Sequence, residues 1–140
     1  MAISPALRRL IIERDHFCCA YCQTSEDNCG QRMHVDHIYP ESAGGPTVPH
    51  NLCAICISCN SYKRALRDAL DPATRIKAPL FHPLQQRWAD HFAWDESKAE
   101  IIGLTPCGRA TVTALQMNNP LIVRARKRWV VAGWHPPTLA

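Results

Sequence analysis

Apolar residues at Ile3, Leu7, Leu10 and Ile11 recur at the spacing of one helical face. Ser4 followed by Pro5 supplies a cap and a first-turn proline, so the pattern predicts a helix over 3–15. The run "RMHVDHIY" at 32–39, with β-branched Val35 and Ile38, predicts a strand, closed by Pro40 and opened into a loop by Gly44-Gly45. A second helix is expected from about 58 to 70, stopping before Asp71-Pro72.

From 71 to 83 the pattern lapses into proline and turn residues, "DPATRIKAPLFHP", which predicts a surface connector dividing two subdomains. Beyond it, "WADHFAW" sets Trp88, Phe92 and Trp94 on one face at strand spacing. After a polar "DESK" turn, "AEIIGL" is placed to pair back as a hairpin, with the aromatics in the core. Thr105-Pro106 and Asn119-Pro120 each read as a cap and first-turn proline, predicting helices over 106–117 and 120–132. In the last of these, Ile122, Ala125 and Trp129 share one face, and Arg124, Lys127 and Arg128 another. The expected organisation is an α+β module over 1–70, the connector, and an extension over 84–140 packed on the module.

A chain of 140 residues can bury a modest core. The N-terminus lacks the apolar segment and cleavage site of a signal peptide, and no run approaches the roughly 18 apolar residues of a membrane span. The cytoplasm is therefore the expected compartment. There the eight cysteines point to metal rather than to disulfides, because cytosolic thiols stay reduced. The net charge of +4 is uneven: residues 1–60 hold four Lys/Arg against six Asp/Glu, and residues 61–140 hold twelve against six. The second half is the expected polyanion surface.

Three C-x-x-C pairs exist: Cys19/Cys22, Cys53/Cys56 and Cys56/Cys59. Two pairs suffice for a closed tetrahedral Zn2+ site, because a two-residue spacer lets a tight turn aim both sulfurs at one point. Cys19, Cys22, Cys56 and Cys59 are assigned to it. Cys53 would replace one of the second pair only by drawing the ligand turn away from Asn60, and Cys18 is the same ambiguity at the first pair. Cys29 and Cys107 read as ordinary thiols. Between the pairs lies "HVDHIYPESAGG", so zinc would staple the two ends of a segment that carries chemistry.

Cleaving a phosphodiester requires a base to deprotonate water and a cation to absorb charge at the leaving oxygen. Asp36 and His37, adjacent on a strand, point to opposite sides and would flank a phosphate. A carboxylate, the amide oxygen of Asn60 and water suit Mg2+ or Mn2+, and imidazole suits a base at neutral pH. His34, on the Asp36 face, is a further candidate for the metal shell. Lys63 and Arg64, one turn after Asn60, are candidates for the DNA backbone.

Taken together, "CAYC…HVDHIYPESAGGPTVPHNLCAICISCNSYK" resembles the HNH endonuclease family, in its four-cysteine zinc-clamped form, over about residues 13–64. The resemblance implies a ββα-metal core, His37 as general base, Asp36 and Asn60 as ligands of the catalytic ion, and Asn51 steadying the loop that holds the base. Asn60 stands where the family name has its final histidine. The implied activity is hydrolysis of DNA, double-stranded in the first instance, with structural Zn2+ and catalytic Mg2+ or Mn2+. The resemblance assigns no role to the extension, whose Arg124, Lys127 and Arg128 would either lengthen the DNA groove or simply cover the platform. A non-catalytic, zinc-stabilised nucleic-acid-binding module is the alternative; it would need the clamp and the basic tail but not Asp36, His37 or Asn60.

Overall fold

The computed structural model describes residues 2–138, so the first residue and the last two of the expected extension lie outside the described residues. The fold is mixed α+β, and the described residues form three two-stranded antiparallel sheets and six α-helices. No helix among the described residues is long and apolar enough to cross a membrane.

Helix α1 (Pro5–Arg14) starts as its cap predicts, with Ser4 Oγ accepting from Leu7 N at 3.1 Å. After the short α2 (Glu26–Cys29) comes β1 (His34–His37), which pairs with β2 (Leu52–Ile55) so that His34 faces Ile55 and Asp36 faces Cys53. Every residue of β2 is buried, and its other edge is closed by side chain and loop rather than by a third strand. Ala54 N donates to Asp15 Oδ2 at 2.7 Å, Ala20 N donates to Ala54 O at 2.9 Å, and Arg14 donates to Leu52 O at 2.6 Å. The end of α1 thus satisfies an edge that would otherwise be left unpaired. Helix α3 (Ile57–Lys63) follows directly, completing a ββα unit.

Here the structure departs from the predicted helix over 58–70. The helix stops at Lys63, with Arg64 in a positive-φ conformation (φ 50°), and residues 68–70 form β3, paired with β4 (Lys77–Pro79). Turn chemistry outweighs helix propensity at this point. Asp71 accepts from Ala73 N at 3.0 Å and from Thr74 Oγ1 at 2.9 Å, a side-chain-closed turn that folds the strands together. The expected connector is therefore partly a hairpin, and Arg109 ties it to α5 (Pro106–Ala114) through two bonds to Asp71, at 3.0 and 2.9 Å. That guanidinium holds the Asp71 carboxyl well below the usual carboxylate range.

In "WADHFAW" the first four residues form a helical turn, α4 (Trp88–His91), and only Phe92–Trp94 form strand β5, which pairs with β6 (Ile101–Gly103) as the predicted hairpin. The aromatics do meet: Trp88 packs on Phe92 and on Trp94, with ring centroids 5.2 and 5.7 Å apart. Helix α6 (Pro120–Ala132) has its predicted bounds, and α5 ends three residues early. One apolar cluster runs from Cys19 through Ile55, Phe81 and Phe92 to Met117, and Trp88 Nε1 donates to Tyr21 O at 2.7 Å. The extension and the ββα unit therefore share a core.

Candidate metal and catalytic site

Two backbone devices bring the first cysteine pair into line. Cys19 N donates to Thr24 O at 2.8 Å and Gln23 N to Cys19 O at 2.9 Å, with Gln23 at φ 64°, so Cys19 and Cys22 sit on a tight knuckle. The second pair opens α3: Cys56 is its N-cap and accepts from Cys59 N at 3.4 Å. The four sulfurs lie within 4.8 Å of one another, Cys22 and Cys56 being 3.6 Å apart, and all eight cysteines are free thiols. A tetrahedron with Zn–S of about 2.3 Å has S–S edges of about 3.8 Å, so the cluster is compatible with a structural zinc. Hydrogen bonds from Cys19, Cys56, Cys59 and Thr24 hold the Cys22 thiol well below its ordinary value, while burial pushes Cys19 up. Such a set of sulfurs is best satisfied by a cation that lets all four deprotonate.

The alternatives left open by spacing lie outside this cluster. Cys53 is on β2, opposite Asp36, and burial pushes its thiol far up. Cys18 is in a bridge with Ser25. Cys29 is half-buried against the carbonyl of Gln31, and Cys107 is buried in α5.

The loop after β1 is held by Asn51, which is buried. Its Oδ1 accepts from Tyr39 N at 2.9 Å, and its Nδ2 donates to Tyr39 O at 3.1 Å and to Pro46 O at 2.9 Å. Gly45 completes the closure, because a Cβ there would collide with the Tyr39 carbonyl. The loop brings Thr47 back over β1, where its Oγ1 lies 2.9 Å from His37 Nε2, and Glu41 lies 3.8 Å from the same nitrogen. Neither Thr47 nor Glu41 has a sequence signal that singles it out; only loop closure brings them to the ring. Asn51→Ala removes three hydrogen bonds at a buried site and is expected to destabilise the protein by about 2–4 kcal/mol, measurable by urea unfolding.

Asp36 is mostly buried, and burial raises its carboxyl above the ordinary value against the opposing pull of Lys63. Lys63, expected on the surface as a DNA contact, is only 1% exposed. Its ammonium lies 2.7 Å from Asp36 Oδ2 and donates to the carbonyls of His37 at 3.2 Å and Ile38 at 3.4 Å. One ammonium thus joins the Asp36 carboxylate to the backbone at the end of β1. A buried carboxylate facing the helix captures the lysine, which is why it does not reach solvent.

Asn60 is half-buried on α3, one turn before Lys63. His34 is exposed at the start of β1. Arg64, Arg124, Lys127 and Arg128 are exposed, the last three on α6. Among the cations passed over in the sequence, Arg8, Arg9 and Arg32 line a cleft of about 440 Å³ with Phe17 and Met33, next to the start of β1. The net negative charge of the first sixty residues hides this cluster.

Against known proteins, residues 19–73 match the family model described as HNH endonuclease, a span that contains all four clustered cysteines and the Asp36-His37 strand. Neither the curated proteins nor the solved structures gave a match to this chain.

Proposed function

Taking residues 19–73 as an HNH endonuclease module, we propose that the protein hydrolyses phosphodiester bonds of double-stranded DNA with one catalytic divalent cation, Mg2+ or Mn2+, and a separate structural zinc. The juxtaposition of Asp36 and His37 carries this reading: a mostly buried carboxylate, met at Oδ2 by Lys63, sits next to an imidazole whose Nε2 is already engaged by Thr47. Carboxylate and amide oxygens suit a hard cation. Asp36 and Asn60 would hold that ion, with His34 as a further candidate, and the ion would neutralise charge at the leaving oxygen.

His37 is the base. If its Nε2–H donates to Thr47, its Nδ1 keeps a free lone pair with which to take a proton from water. Asn51 and Gly45 keep the loop, and so the hydroxyl of Thr47, at the ring. Lys63 acts here as a positioning residue, joining α3 to the backbone of His37 and Ile38. For the substrate backbone, Arg8, Arg9 and Arg32 join Arg64 and the α6 cations as candidate phosphate contacts.

The Lys63 ion pair also supports a second reading, because a carboxylate that already has a cation partner need not bind another. In that case the protein is a zinc-stabilised nucleic-acid-binding module. Supercoiled plasmid incubated with Mg2+ or Mn2+ separates the two. Nicking or cutting is expected, with Asn60→Ala slowing it at least about tenfold and higher metal concentration restoring part of the rate. Duplex binding without cleavage in any divalent metal would establish the second reading instead.

A further inference from the structure

Arg126 is the largest fully buried side chain among the described residues, and it lies in the extension, at the centre of α6. Its Nη1 donates to Ala99 O at 3.0 Å and Asn118 Oδ1 at 3.2 Å, its Nη2 donates to Met117 O at 2.8 Å, and its guanidinium stacks on Trp94 at 5.1 Å. All of these partners are neutral. No carboxylate pairs with it among the described residues, and its Nε, also buried, has no hydrogen-bond partner. A buried cation without a counter-charge is unfavourable, so something nearby must supply negative charge.

The same cavity supplies it. Arg126 lines a pocket of about 120 Å³ together with Cys22, Cys56 and Cys59, and it is the one ionisable cation in that lining. Four thiolates around a Zn2+ leave a net charge of −2, and here that charge is almost wholly removed from water. The two imbalances face each other across one small space.

We propose that Arg126 is an outer-sphere component of the zinc centre: its buried guanidinium offsets the charge of the tetrathiolate, with the unpartnered Nε–H donating, once the ion is bound, to one of the sulfurs that share its pocket. Donation to a metal-bound thiolate withdraws charge from sulfur, which makes it a poorer target for protons and oxidants. The extension thereby becomes part of the clamp, since α6 delivers the residue from outside the family-matched segment. This inference rests on the zinc site alone and is independent of whether DNA is cleaved.

The test uses the full chain loaded with Zn2+, Co2+ or 113Cd2+. Arg126→Met is expected to release zinc to a chromophoric chelator roughly ten times faster than the native chain. It should also move the sulfur-to-Co2+ charge-transfer band to lower energy, because sulfur lone pairs rise when a donor is lost. Arg126→Lys, which keeps the charge but loses the fork, should fall between. The native protein provides a reading that needs no variant to fold: the Arg126 Nε–H proton should show coupling to 113Cd across the hydrogen bond. A native protein without that coupling would overturn the proposal. So would an Arg126→Met protein with unchanged chelation rate and band energy, and in either case Arg126 would be only a staple for the carbonyls of Ala99 and Met117.

Discussion

The His37→Ala protein is expected to fold, to keep its zinc and to lose DNA cleavage by roughly 10²–10⁴-fold. The separation follows from the geometry. The His37 ring makes a hydrogen bond to Thr47 at 2.9 Å, an interaction whose net contribution to stability is about 1 kcal/mol, and it contributes nothing to the four-sulfur cluster. Its backbone carbonyl, which holds Lys63, is untouched by the substitution. Zinc content by metal analysis and thermal melting should therefore match the native chain, while plasmid cleavage collapses. Cleavage at the native rate would mean that another group removes the proton from water.

Removing the clamp should do the reverse. Cys56→Ala deletes a sulfur, frees the N-cap of α3 and leaves three thiolates to hold the ion. Structural zinc contributes about 10 kcal/mol or more to folding in comparable small sites, as much as the whole stability of a typical domain, about 5–15 kcal/mol. Loss of the cooperative melt is the expected outcome, with a chelator having the same effect on the native chain. The cluster sits where the knuckle after α1, β2, α3 and α6 converge, so disorder should spread to the strand that carries Asp36. A folded Cys56→Ala protein with full zinc would require Cys53 to leave β2 and take the vacated position.

Much of this was legible along the chain, for local reasons. The caps Ser4, Thr105 and Asn119, each followed by proline, start α1, α5 and α6 where they should, because capping depends on a few adjacent residues. The "FAW" and "IIG" segments pair as the predicted hairpin. Two C-x-x-C turns form the cluster, with Cys53 left to the core. The misreadings have equally physical causes. "SYKRALRDAL" has the composition of a helix, yet its last residues become β3, because the Asp71 turn offers them a partner strand seven to eleven residues on. The spacing of Trp88, Phe92 and Trp94 predicts one strand; Trp88 instead lies on a helical turn and still joins the same aromatic cluster, since packing needs the rings to meet and not the backbone to be extended.

Sequence by itself determined where the three proline-capped helices begin, which cysteines can share an ion, and that an Asp-His pair lies between them, since all three depend on spacing over a few residues. Tertiary structure alone decided where the basic side chains end. Lys63, read as a surface contact, is buried against Asp36, and Arg126, which carried no signal, is buried beside the sulfurs. Three arginines from the acidic half gather instead at one cleft. A long cationic side chain goes into the protein only where distant segments bring counter-charge and carbonyl oxygens to meet it, and that arrangement leaves no trace in the residues around it.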